Sequence, residues 1–325
     1  MHPAFSVIFL TTLIGTGQGL FLALYTGQVY NTFGVVGDAM PPLALYVVGT
    51  IVVTVLMALG LFASFFHLGR PERAWRAATM WRTSWLAREV IVLPAFAGAA
   101  FIWGALHYVG FDPIMLTAGA VPIKLTLIVG FAAGLLAFLL YVCTGMIYAA
   151  VKFIQEWATP FTIVNYTLLG LASGFSLAAA LGAYFGSSLV DAYIFWAVLF
   201  TLVGFVSRMF ALRRNGRLKH KSTVCTAIGV RHPKITQISQ GAMGGSFNTR
   251  EFFHHQSPQF LQTVKLFFLI VAFIVPVTLM VIGWSNQLAL VLLASALIQY
   301  VGLLAERWFF FAQANHPQNL YYQAT

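Results

Sequence analysis

Eight stretches of this chain are apolar for long enough to cross a lipid bilayer and carry almost no charge inside them. A hydrocarbon core about 30 Å thick takes ~20 helical residues. The stretches are expected near residues 5–30, 43–67, 88–109, 119–148, 160–185, 191–211, 262–283 and 288–312. They are too long and too uniformly apolar for transmembrane strands, which run to about ten residues and alternate. In lipid a backbone must satisfy its own N–H and C=O groups, so helices follow. The expectation is an all-α integral membrane protein, a single eight-helix transmembrane domain over residues 1–325 with a basic loop at 212–261. With 60% hydrophobic and 8% charged residues, the chain has too little polar surface for a soluble domain of its length.

The basic residues sort by connection. The second connection holds Arg70, Arg73, Arg76 and Arg82, with Arg88 at the next helix mouth. The fourth holds Lys152 beside Glu156, and the sixth holds Arg213, Arg214, Arg217, Lys219, Lys221, Arg231, Lys234 and Arg250. The odd-numbered connections contain Asp38, Asp112 and Asp191 and no Lys or Arg. Lys124, expected just inside the fourth helix, can snorkel to the nearby interface. Lys/Arg bias in loops orients a bundle with its basic side cytoplasmic, which predicts cytoplasmic termini and three cytoplasmic basic connections. This topology accounts for the net charge of +10, and nucleic acid is not an expected partner. The first apolar span lacks a basic leader and a cleavage site, so a retained helix is expected rather than a signal peptide. Cys143 and Cys225 alone make neither a disulfide framework nor an iron–sulfur or zinc site, and no metal ligand set is expected.

Ionisable groups at membrane depth usually mark function. His67 is expected to close the second helix, with Arg70 and Arg73 following at spacings of three. Glu89 opens the third helix, Glu306 lies near the end of the eighth, and all share one face. A His and carboxylates on a path to water suit proton exchange with a quinone, which needs an apolar slot, donors to its carbonyls and a proton-exchanging group. The competing reading makes His67 an interfacial residue and Glu89 with Arg70 an ordinary ion pair. Trp75, Trp81, Trp85 and Trp308 read first as an interfacial belt, with a quinone wall as the lesser reading for each. The glycine-rich stretches Gly15–Gly19 and Gly170–Gly174 predict close helix packing, and Gln18 within the first is a candidate for an interhelical hydrogen bond or a ligand contact.

Two other classes compete. A membrane b-type cytochrome needs paired axial His, but only His67 and His107 lie in or beside helices, and the topology sets them at opposite faces. A transporter would bury charge or broken helices near the midplane. Pro94 and Pro276 are expected kink positions only.

Several blocks resemble a known family. His2-Pro-Ala-Phe-Ser6, Gly15-Thr-Gly-Gln-Gly-Leu20, Phe66-His67-Leu68-Gly69-Arg-Pro-Glu-Arg73-Ala-Trp75, Ser84-Trp-Leu-Ala-Arg-Glu89 and Ala305-Glu306-Arg307 are similar to membrane anchor subunits of the dimethyl sulfoxide reductase type. The resemblance spans nearly the whole chain. It implies a haem-free, quinone-interacting subunit in a bacterial cytoplasmic membrane. Its implied partners are a molybdenum (bis-pterin guanine dinucleotide) catalytic subunit and an iron–sulfur subunit that hold those cofactors. The family's quinone-site His and Glu fall on His67 and Glu89, and Gln18, Arg70, Arg73, Trp75 and Glu306 complete the expected quinone site. Here that face is the basic, cytoplasmic one. This arrangement, with the block Gly244–His254, resembles the branch of cytoplasm-facing sulfite dehydrogenase complexes, in which sulfite oxidation feeds electrons to quinone. A reductase of dimethyl sulfoxide, N-oxide or another sulfur compound is the alternative. In the long basic loop, Arg213, Arg214, Arg217, Phe247, Arg250, Phe252 and Phe253 are expected either to bind anionic lipid head groups or to dock the iron–sulfur subunit.

Overall fold

A computed structural model of the chain describes residues 1–36, 41–119, 121–219, 223–236, 238, 254–317 and 319. Among the described residues eight helices are long and apolar enough to cross a membrane. They are α1 (Phe5–Thr32), α2 (Leu43–Ser64), α3 (Trp85–Val109), α4 (Leu125–Ala149), α5 (Pro160–Tyr184) and α6 (Val190–Asn215), then α8 (Pro258–Ser285) and α9 (Ala289–Ala312). A five-residue helix, α7 (Val224–Ile228), sits in the long loop, and a 3-10 helix (Pro71–Met80) links α2 to α3.

Several ends differ from the hydropathy reading, each for a local reason. α3 starts at Trp85 because the Ser84 hydroxyl accepts the Ala87 N–H (3.3 Å). Likewise Ser257 caps α8 through the Phe260 N–H (3.2 Å), with Pro258 in the first turn. α2 stops at Ser64, three residues early, and Phe65–His67 form a turn before the 3-10 helix. The largest difference is at α4. Residues 121–124, expected in its first turns, form β2 (Val121–Lys124), paired antiparallel with β1 (Ile114–Ala118), so Lys124 ends a strand and precedes the helix. Asp112 then caps α4: its carboxylate accepts the Thr126 N–H (2.8 Å) and hydroxyl (2.9 Å).

α1 and α5 are the most enclosed helices. Their contact is backbone on backbone: a Cβ at Gly174 would lie 2.0 Å from the Gly19 carbonyl carbon, and one at Gly19 would lie 2.1 Å from Gly170 O. Small residues thus set the bundle's axis, as the two glycine stretches predict. α2, α4, α6 and α9 pack around that pair, with α3 against α2 and α4, and α8 against α9 and α6. Outward positions such as Phe131, Leu135, Phe195, Leu202 and Leu297 are exposed apolar side chains, the composition of a lipid-facing wall.

α8 is interrupted by a π turn at Ile270–Ile274, just before Pro276. Proline has no N–H to return to the preceding turn, and the Val275 N–H reaches back five residues to Ile270 O. Side chains of α9 serve the loosened carbonyls. Ser295 Oγ donates to Pro276 O (2.9 Å), and Gln299 Nε2 donates to Thr201 Oγ1 (2.9 Å) and Ala272 O (3.4 Å).

An even number of crossings leaves the start of α1 and the end of α9 at one face, where the Met1 ammonium donates to Ala314 O (2.9 Å). The ends of α2, α4, α6 and α9 and the starts of α3, α5 and α8 meet there, with all three basic connections.

Candidate functional site

At this basic face Glu89 lies in the first turns of α3, about 6 Å along the helix from its start. Its carboxylate accepts the Thr144 hydroxyl of α4. No ion pair joins it to any described cation, so the Arg70 pair of the competing reading is not formed. Arg88 turns away, stacking on Trp85 (4.1 Å) and donating to Trp81 O and Arg82 O (both 2.9 Å).

His67 is exposed in the turn after α2, with its N–H bonded to Ser64 O (3.2 Å). Partial burial holds its imidazole below the ordinary histidine value. Arg70 and Arg73 do not continue α2 but open the 3-10 helix, where Arg73 lies 3.7 Å from Glu72 in an exposed pair. Trp75 is 66% exposed. This 3-10 helix packs against α3, so His67, Arg70, Arg73 and Trp75 lie on the connection that leads to Glu89.

Gln18 and Glu306 go elsewhere. Gln18 is near the middle of α1, ~20 Å along the helix, and its buried amide donates to Ala137 O of α4 (2.8 Å). The interhelical reading holds for it. Glu306 is completely enclosed, and its Oε1 lies 2.8 Å from Arg208 Nε of α6, a charge contact without hydrogen-bond alignment. Arg307 Nε is 3.8 Å from Glu306 Oε2, and its guanidinium lies 3.6 Å over the Tyr166 ring of α5. Tyr166 stacks on Tyr148 of α4 (5.6 Å), and Trp157, Phe310 and Phe311 close an aromatic box around them. Lys152 is exposed in a turn and makes no pair with Glu156, which accepts from Asn315 (3.2 Å).

Sequence reasoning misses Arg208, Tyr148 and Tyr166. Arg208 alone carries a usable signal: a cation seven residues inside an otherwise apolar span must be paired. Of the expected docking residues, Arg213 and Arg217 are exposed at the end of α6, and Arg214 donates to Gln155 O (3.0 Å). Phe247, Arg250, Phe252 and Phe253 lie outside the described residues.

The opposite face holds a cavity of about 410 Å³ lined by Gln28, Tyr46, His107, Asp112 and Lys124. The His107 ring stacks on Tyr46 (4.8 Å) and meets Trp103 edge-on (4.4 Å). Phe21, Leu24, Phe96 and Trp103, all fully buried, separate that cavity from the basic face.

The chain matches the model of the DMSO reductase anchor subunit (DmsC) family over residues 1–321. It is 54% identical to a sulfite dehydrogenase subunit of Allochromatium vinosum over 327 aligned positions, which cover 100% of this chain and 99% of the relative. An eight-helix bundle with these blocks in this order, matched end to end, belongs to the DMSO reductase anchor subunit family.

Proposed function

We propose that this protein is the haem-free, quinone-reactive anchor of a three-subunit molybdenum/iron–sulfur oxidoreductase, a sulfite dehydrogenase that passes electrons to quinone at the cytoplasmic face. The molybdenum and iron–sulfur centres reside in the partners, and the substrate is transformed there. The observation that carries the reading is Glu89, a carboxylate at membrane depth with a hydroxyl partner and no described counter-ion. A structural carboxylate at that depth would be paired, and one left to a hydroxyl can exchange a proton. Reducing a quinone takes two electrons and two protons. The electrons come from the iron–sulfur partner, docked over the basic connections. His67 supplies an N–H to a quinone carbonyl, and Glu89, reprotonated after the first transfer, supplies both protons in turn. Arg70, Arg73 and Trp75, exposed on the intervening segment, are available to the ring and to the partner. The sulfite assignment follows the name of the 54%-identical relative.

The test uses the assembled complex. Glu89→Gln and His67→Ala are expected to lower quinone-coupled sulfite oxidation by ~10²-fold or more while dye-linked oxidation in the catalytic partner stays unchanged. Burial disfavours the imidazolium, so neutral His67 persists as pH falls through its ordinary value of 6.5. Both the neutral ring and the imidazolium carry an N–H, so quinone-coupled activity is expected to show no acid limb near that pH that depends on His67. Normal quinone turnover in both variants defeats this assignment.

A further inference from the structure

Quinone chemistry at His67 and Glu89 leaves the buried charges of α6 and α9 unused. Arg208, Glu306 and Arg307 are 2%, 1% and 4% exposed, two cations around one carboxylate, with buried Glu156 on the far side of the same void. Such a cluster is costly and weak evidence for stability. It also concentrates polar atoms without a hydrogen-bond partner: Asn165 Oδ1, Arg208 Nη2, Glu306 Oε2 and Arg307 Nε. Native interiors leave few such atoms, and one neighbourhood with four calls for a reason. A void of about 10 Å³ lies among them, bounded by Asn165, Tyr166, Arg208 and Glu306 and, toward the basic face, by Glu156 and Asn215. That is room for one water with several polar neighbours.

The cluster is joined to Glu89. Thr144, which bonds Glu89, and Tyr148 are four residues apart on α4, hence on one side of the helix. Tyr148 stacks on Tyr166, and its phenol is within electrostatic reach of both Glu89 and Arg307. Resting on the quinone reading, we propose that Tyr148 and Tyr166 form a proton relay from a water held at Asn165, Arg208 and Glu306 to Glu89, with Arg307 as its electrostatic control.

The position of Arg307 fixes the order of events. Its guanidinium lies 3.6 Å over the Tyr166 ring, where it repels an excess proton and favours a transient phenolate. After Glu89 gives its proton to quinone, Tyr148 protonates the carboxylate. Tyr166 gives its proton to Tyr148, and the water refills Tyr166. That water draws from the mouth at Glu156, where Asn315 and Asn215 bond to its side chain (3.2 Å) and backbone (3.4 Å). One proton enters from the basic face for each one delivered, no bond other than O–H changes, and no oxidant is needed.

Tyr148→Phe and Tyr166→Phe keep the ring stack and remove the exchangeable proton. In the assembled complex, each is expected to lower quinone-coupled turnover at least ~10-fold with quinone KM unchanged, and to raise the solvent deuterium isotope effect. Dye-linked turnover of the partner, which bypasses this chain, reports assembly. Rates within twofold of the parent, with Glu89→Gln inactive, overturn the relay and leave the quinone site standing. A parent complex inert toward quinone overturns the quinone site itself. Failure of both Phe variants to assemble shows the stack to be structural and also rejects the relay.

Discussion

At the residue scale, the axis of the bundle rests on the absence of a few atoms. Gly19, Gly170 and Gly174 let α1 and α5 touch through their backbones, and Tyr141 fills the remaining space with its hydroxyl on Gly15 O (2.7 Å). A methyl at position 174 has no flexible side chain to push aside, because its nearest neighbours are the Gly19 and Leu20 backbones. Gly174→Ala is therefore expected to cost at least ~1–3 kcal/mol, the range for overpacking a tight core. Gly98 of α3 has nothing within 4 Å of its Cβ position, and Gly98→Ala gains helix propensity without a clash. In detergent, the thermal midpoint of Gly98→Ala should match or exceed the parent's, and that of Gly174→Ala should fall clearly below it. Equal midpoints would show that the two helices do not touch here.

At the element scale, α8 shows how a membrane helix tolerates proline. The sequence marks Pro276 as a kink, and the kink is a π turn whose carbonyls are served from α9. Gly302 of α9 makes this possible, since a Cβ there would lie 2.3 Å from Ala272 N. Removing Gln299 leaves the Thr201 and Ala272 oxygens without this donor, a loss of about 1–3 kcal/mol for buried acceptors. Pro276→Ala returns an N–H to the turn, so Gln299→Ala should cost less in that background than in the parent. A double-mutant cycle of thermal midpoints measures the difference, and strict additivity would rule the coupling out. Elements of this kind also mark what the sequence discloses. Hydropathy locates all eight spans because length and apolarity are properties of single segments. It misses the hairpin before α4, whose residues are as apolar as a helix start, and the turn at Phe65–His67. It also misses the Arg208–Glu306 contact, which joins residues 98 positions apart and exists only once α6 and α9 are packed. Glu89 is legible as a charge at a helix mouth, but its Thr144 partner is not, for the same reason.

At the scale of the whole molecule, charge and chemistry coincide. The exposed cations on the α2–α3 connection and at the end of α6, the exposed His67, the half-buried Glu89 and the Arg208 cluster all occupy the face where α1 begins and α9 ends. The opposite face has its own polar cavity, but a layer of Phe21, Leu24, Phe96 and Trp103 divides the two. On the proposed function, which compartment the basic face meets decides which compartment houses the partners and supplies the protons. The Lys/Arg asymmetry gives one answer, the cytoplasm, and the chain contains its own reporter for it. Cys225 lies in α7 on the basic side, partly exposed, whereas Cys143 is buried in α4. With this subunit expressed alone, a membrane-impermeant maleimide is expected to label Cys225 in inverted vesicles and to leave it unlabelled in right-side-out vesicles, with Cys143 silent in both. Tyr108, 74% exposed at the other end of α3, supplies the reciprocal probe: Tyr108→Cys in a Cys225→Ser background should label only from the right-side-out preparation. The opposite pattern would place the Glu89 face outside the cytoplasm and move the partners with it, which would refute the cytoplasmic orientation while leaving the bundle and its packing untouched.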